Sequence, residues 1–311
     1  MSALAEELIV DVDVWDDEPT HLAARWYAPD TDGGPPPALL VCVPGGTYNG
    51  RYWDLDVDDG AYDFARWMAD RAYAVPVVDV LGTGASSRPW HEVGIAEQAR
   101  ATAALVDHIR GRLAAGTPVI GFGHSMGGYH VVVQQATARS YDGIAVLGTT
   151  MGAVRILSLP DDMIAAALAG PEARTEMVAG MLSGFAEQYF DGDHVGFGAD
   201  FHLPDVPAHV LAADAAQAST CVPRRCAVES MVPYYFSAEA ATVDVPVLLA
   251  YGEVDVSLAP DDEPTYYASS PDVTRYHLAG SSHCHNMAAT RVTLWEQLHR
   301  WLEGLPGASA A

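Results

Sequence analysis

The chain contains no lysine. All 16 of its basic residues are arginine, set against 41 acidic ones, for a formal net charge of −25. A surface of that sign repels nucleic-acid phosphates and anionic lipid headgroups, so neither nucleic acid nor a membrane is an expected partner. Charged residues make up only 18% of the 311 and half of the chain is hydrophobic, which excludes extended disorder and supplies a sizeable core. No apolar run is long enough to span a bilayer. Met1 to Val10 has acidic residues and no basic stretch ahead of its short apolar run, so it does not read as a signal peptide, and the expected location is cytoplasmic. Cysteine is scarce as well. Cys221 and Cys226 flank Val-Pro-Arg-Arg without the second ligand pair that zinc would need, and a disulfide between them is disfavoured in a reducing compartment. The acidic run Asp54 to Gly60 has no glycine at the sixth position of a calcium loop and Ala65 at the twelfth, so it reads as a loop in which Asp58 or Asp59 caps the next helix. No metal site and no cofactor are expected.

What the chain does have is a sharp turn between a strand and a helix. Pro118 to Phe122 is apolar, Gly123-His-Ser-Met-Gly127 turns, and the small-residue segment Gly128 to Thr137 reads as a buried helix. A serine at the tip of such a turn takes a strained backbone conformation, and glycines two residues either side let neighbouring backbone pass. The helix points its free N–H groups at the serine, which makes the Met126 N–H a candidate donor to a developing oxyanion. A second donor has to come from elsewhere. Pro44-Gly-Gly-Thr47, straight after the apolar strand Ala38 to Val43, offers the N–H of Gly46 or Thr47.

The order of elements predicts an α/β fold. Glu7 to Trp15 and His21 to Tyr27 read as a half-exposed antiparallel pair, and residues 31–37 as a Gly/Pro turn. Apolar strands at Ala38–Val43, Tyr73–Val80, Pro118–Phe122, Gly143–Leu147, Val245–Tyr251 and Val273–Leu278 alternate with helices at Ala61–Arg71, Glu92–Leu113, Gly128–Thr137 and Ala288–Leu302. That alternation implies a mostly parallel central sheet of about eight strands covered by helices on both faces. Residues 1–151 and 243–311 would form this core. Residues 152–242 are Ala- and Met-rich, broken by prolines and without evident strands, and read as a mostly helical insertion. Its aromatic end, with Tyr234 and Tyr235, would either line a pocket or pack cap against core, and Tyr48, Trp53, His124 and Met151 are the other candidate pocket residues. Residues 306–311 read as a tail.

A serine hydroxyl needs a base within hydrogen-bond reach, and the base needs an acid to fix its tautomer. Ser125 is followed by Asp255, just after a later strand in Tyr251-Gly-Glu-Val-Asp255, and then by His283 in the last loop, Gly280-Ser-Ser-His283. This Ser…Asp…His order, with the glycine-flanked serine and the Gly-Gly loop, resembles the α/β-hydrolase fold family with a helical cap, over essentially the whole chain. The resemblance implies Ser125 as nucleophile, His283 as base and Asp255 as acid. His285 rivals His283 and Glu253 lies close to Asp255; the family's habit of placing its base soon after Gly-x-x selects His283, and leaves His285 to start the last helix. Where some relatives carry the acid, after the strand following the serine, this chain has Gly148-Thr-Thr150 and no carboxylate. Pro44 stands where the family often has histidine. A serine rather than an aspartate at the turn implies acyl transfer to water. The expected substrate is a small-molecule ester or lactone; an acyl thioester, a carbon–carbon bond next to a ketone, or ligand binding without turnover are the rivals.

Overall fold

Leu8, Val10, Val12 and Val14 alternate with the exposed residues Glu7, Ile9, Asp11 and Asp13, and the first strand buries only that one face. The computed structural model describes residues 5–28, 34–191 and 194–306. The start of the chain, residues 31–33 of the Gly/Pro turn expected over 31–37 and nearly all of the tail expected over 306–311 lie outside them. In chain order the elements begin with β1 (Ala5–Trp15), β2 (Glu18–Tyr27), β3 (Leu39–Val43), α1 (Phe64–Ala69), β4 (Val75–Asp79), α2 (Ile95–Arg110), β5 (Val119–His124), α3 (Met126–Ala138) and β6 (Gly143–Leu147). The segment that follows holds α4 (Asp161–Ala167), α5 (Pro171–Leu182), β7 (Tyr189–Asp191), α6 (Ala208–Gln217), β8 (Cys221–Pro223), α7 (Arg224–Met231) and α8 (Ser237–Ala241). The chain then returns to β9 (Val247–Gly252), β10 (Val273–Leu278) and α9 (Arg291–Gly304).

Eight strands form one sheet in the order β1-β2-β4-β3-β5-β6-β9-β10. β1 and β2 pair antiparallel, β2 joins β4 antiparallel, and all later neighbours are parallel. The middle strands β3, β4, β5, β6 and β9 are buried along their full length, as strands covered on both faces must be. Two core clusters result. One lies under α2 and α3, around Leu39, Val43, Leu105, Val132 and Tyr251; the other lies under α1 and α9, around Trp53, Phe64, Phe122 and Trp295.

Several boundaries differ from the sequence expectation. The residues between β6 and β9 contain a short antiparallel pair, β7 with β8, which three-residue strands are too brief to announce. Asp58 and Asp59 do not cap α1. Asp63 does, its carboxylate accepting from the N–H of Arg66 at 2.8 Å, while Asp58 pairs with His209 of α6. α1 therefore has six residues, and α2 starts at Ile95, where Glu229 of α7 accepts its first N–H at 2.8 Å. α9 starts at Arg291, later than expected. Cys221 and Cys226 are buried free thiols, donating to the carbonyls of Gly82 and Val93. Among the described residues no helix is long and apolar enough to cross a membrane.

α3 is buried nearly all round and carries His130 with neither ring nitrogen hydrogen-bonded among the described residues. Burial pushes its pKa down from 6.5 to about 3. Below pH 6.5 the unfolded chain binds a proton that the native state refuses, so this group's penalty is absent above 6.5 and grows as pH falls toward 3. By pH 5 it amounts to about 2 kcal/mol. His130→Leu should therefore gain about 2 kcal/mol more over the wild type at pH 5 than at pH 8, read from urea midpoints. An equal difference at both pH values would defeat this account.

Candidate active site

The site forms where β5 ends. Ser125 sits between β5 and α3 with φ 54° and ψ −123°, a conformation that side-chain-bearing residues adopt only when the surroundings force it. The surroundings are close indeed. A Cβ on Gly123 would lie 2.3 Å from the Gly127 carbonyl oxygen, and one on Gly127 would lie 2.4 Å from that of Val43. The parallel registers of β3, β5, β6 and β9 bring their C-terminal ends to one edge, so the loops carrying Gly46, Ser125, Gly148 and Asp255 meet there.

Ser125 Oγ lies 2.9 Å from His283 Nε2, and His283 Nδ1 lies 2.8 Å from Asp255 Oδ1. An ionised carboxylate only accepts, so Nδ1 carries the proton and Nε2 accepts from the serine hydroxyl. Gly148 makes room for the pair: its φ is +59°, and a Cβ there would stand 3.0 Å from His283 Nδ1 and 3.3 Å from Asp255 Oδ1. Burial would raise the Asp255 pKa, but the electrostatic attraction of His285 and the hydrogen bonds from His283 and His285 hold it well below the usual carboxylate range.

His285 was expected to open the last helix. Instead its Nε2 lies 2.8 Å from Asp255 Oδ2, at the start of a short turn five residues ahead of the α9 N-cap Thr290. Two histidines in one loop were visible in the sequence as rivals; no spacing showed that both would reach the same carboxylate. His124 also joins the group. Its Nε2–H donates to the main-chain oxygen of His283 at 2.9 Å, and its ring stacks on Tyr52 with centroids 4.1 Å apart. Burial, then the charges of His283 and His285, push its pKa well below 6.5, so it stays neutral and braces the base's backbone.

Met126, Gly46 and Thr47 border the same cavity as Ser125 and His283. Thr47 has φ 68° and is tied down by its carbonyl, which accepts from Thr220 N–H at 2.9 Å, so the 152–242 segment fixes this loop. The same segment holds the other two loops. The N–H groups of His283 and Cys284 donate to the carbonyls of Asp200 and Phe201 at 3.2 and 2.9 Å. Arg155 Nε donates to the Asp255 carbonyl at 2.6 Å while its Nη2 pairs with Asp200 at 2.7 Å.

The cavity has a volume of about 280 Å³. Its walls are apolar, with Phe190, Phe201, Leu157, Met231 and Val222 prominent, and Ser230 and Asp191 add polar atoms. The six pocket residues expected from the sequence are not on this lining. Tyr48, Trp53, His124 and Met151 are each at most 1% exposed and lie beneath the site. Tyr48 hydroxyl donates to Asp214 of α6 at 3.1 Å and meets Cys284 Sγ at 3.3 Å; Trp53 packs on Phe64; the Met151 N–H is held by Glu263. Tyr234 gives its carbonyl to Arg174, and Tyr235 packs edge-on against Phe236, whose ring meets Tyr129 of α3 with centroids 5.0 Å apart, so this aromatic run joins the inserted segment to the core. The aromatic wall comes from Phe190, Phe197 and Phe201 of the inserted segment together with Tyr129 of α3.

With that geometry in hand, comparison with known proteins is direct. The sequence profile of the Alpha/beta hydrolase family matches residues 40–293, and the chain belongs to that family. A highly thermostable carboxyl esterase from Bacillus coagulans has the same fold, with a TM-score of 0.69 at 16% identity, covering 97% of this chain and 98% of its own. A thermophilic esterase from Thermogutta terrifontis gives 0.63 at 15% identity, over 96% and 99% of the two chains. The enol-lactonase from Burkholderia xenovorans LB400 gives 0.61 at 16% identity, over 91% and 96%. At such identities the likeness is one of fold. A search of curated proteins by sequence gives no match.

Proposed function

We propose that the protein is a serine hydrolase that cleaves a carboxylic ester or lactone of a small molecule through an acyl-enzyme on Ser125. The observation that carries this is the unbroken line from Ser125 Oγ through His283 to Asp255, at 2.9 and 2.8 Å, opening on an apolar cavity. Oγ attacks the carbonyl carbon while His283 Nε2 takes its proton. The oxyanion is met by the N–H of Met126 and that of Gly46 or Thr47. As the tetrahedral centre collapses, His283 returns the proton to the leaving alcohol oxygen. A water then attacks the acyl-enzyme with the same base, releasing the acid and restoring Ser125. No metal or organic cofactor takes part in these steps.

The volume supports a small substrate, because about 280 Å³ lies at the low end of small-molecule pockets. The inserted segment acts in this reading as a cap, since Phe190, Val222 and Met231 wall the cavity. The net charge of −25 supports a free small molecule over an acyl group presented on an acidic carrier protein. The test is turnover of p-nitrophenyl esters of rising chain length, simple lactones and acyl thioesters, wild type beside Ser125→Ala. Ser125-dependent hydrolysis of short and medium esters or lactones, falling off for long acyl chains, is expected. Thioesters preferred over the matching oxygen esters would replace the proposed substrate class. A folded protein that no fluorophosphonate labels would favour ligand binding without turnover.

A further inference from the structure

The acid of the site has a second histidine on its far side. His285 is 1% exposed, and its Nε2 meets Asp255 Oδ2 at 2.8 Å just as His283 Nδ1 meets Oδ1. The N–H groups of Gly252 and Val256 take the remaining positions, at 2.8 Å on Oδ2 and 2.7 Å on Oδ1. A carboxylate engaged by four donors cannot turn without breaking several of these bonds. His285 Nδ1 has no partner among the described residues, so the ring's proton belongs on Nε2, the nitrogen that faces the carboxylate. The other titratable groups facing His285 are His124, edge-on at 5.6 Å between centroids, and His283 at 6.5 Å. Arg155 is bonded to the Asp255 main-chain oxygen and paired with Asp200.

We propose that His285 is a positioning residue for the reaction assigned to Ser125: its Nε2–H locks the Asp255 carboxylate with Oδ1 toward His283, and by sharing that carboxylate it lowers the proton affinity of His283. The inference rests on the proposed roles of Ser125 and His283. A carboxylate stabilises an imidazolium through the negative charge it presents, and a strong donor on the opposite oxygen draws part of that charge away. The base is then free of its proton, and able to accept the serine's, at a lower pH than with an unshared acid.

The test is the pH dependence of covalent labelling of Ser125 by a fluorophosphonate, in wild type, His285→Leu and His285→Gln. Glutamine carries a donor nitrogen as many bonds from Cα as the imidazole Nε2; leucine fills the space without one. In His285→Leu the acid limb of the labelling rate should move up by about one pH unit, the scale of a lost hydrogen bond to a charge. Its plateau should fall about tenfold as the carboxylate loosens. His285→Gln should keep the wild-type limb and plateau. Leucine and glutamine profiles that coincide with each other, on or off the wild-type curve, would overturn the proposal, as would a shift of the leucine limb to lower pH. Should His285→Leu fail to fold, nitrogen NMR of histidine-labelled wild type decides: a neutral His285 protonated at Nε2 near pH 8 supports the proposal, and one protonated at Nδ1 defeats it. Wild type that is not labelled at any pH brings down the role of Ser125 and this inference with it, a result distinct from labelled protein with unshifted variants.

Discussion

Ser125→Ala should lower ester turnover by at least about 10³-fold, and toward 10⁶-fold if the three residues act as a unit. In the proposed mechanism the hydroxyl is the group that forms the acyl bond, and neither the thiol nor the other histidine beside the site can take its place. Cys284, the closest thiol in the chain to the base, is 2% exposed, engaged with Tyr48, and pushed well above the ordinary thiol range by burial and then by Asp214. His124 Nε2 is committed to the His283 carbonyl. The remaining rate would come from the oxyanion donors and binding alone. The fold should survive, because the strained conformation at position 125 is imposed by the backbone of Val43, Gly123 and Gly127 rather than by the hydroxyl. The measurement is kcat on the best p-nitrophenyl ester together with circular dichroism. A folded variant that kept more than a tenth of the activity would remove Ser125 from the mechanism.

The second large effect is expected from Asp255→Asn, in activity and in stability together. Four donors converge on this carboxylate, from Gly252, Val256, His283 and His285. An amide offers one oxygen, so two donors must face its NH₂ group whichever way it turns. If the NH₂ faces His283, Nδ1 must accept, Nε2 then carries the proton, and the serine loses its base. If it faces His285, that ring must switch tautomer and leave a buried N–H unpaired. In either arrangement the negative charge that stabilises the imidazolium is gone. Turnover should fall by about 10⁴-fold. Stability should fall by about 2 to 4 kcal/mol, the cost of one or two buried donors left without acceptors. Stopped-assay kcat and urea midpoints measure the two effects. A variant as stable as the wild type would mean that His285 does not depend on this carboxylate.

The buried apolar strands, the β-α alternation and the Gly-His-Ser-Met-Gly turn were legible because each is a local pattern. Runs of Val, Leu and Ile make strands covered on both faces, and a serine between glycines at a strand-helix junction admits few conformations. The Ser…Asp…His order was legible for a related reason: in a parallel sheet every loop after a strand's C-terminal end reaches the same edge. The residues between Gly152 and Thr242 were readable only as an insertion.

What the tertiary structure alone decided depends on approach between distant segments. Trp53 and Tyr48 carry the aromatic character of pocket residues, yet packing under the sheet edge buries them, while Phe190 and Phe201 reach the cavity because the chain folds back over the site. His283 and His285 stand in one loop with the same chemistry. Their different tasks follow from which face of Asp255 each meets, and a turn in three dimensions sets that, since no periodicity in a loop fixes the direction of a side chain. The sequence by itself determined the fold and the three residue types in their order; only the fold's closure gave the acid its second histidine and the cavity its walls.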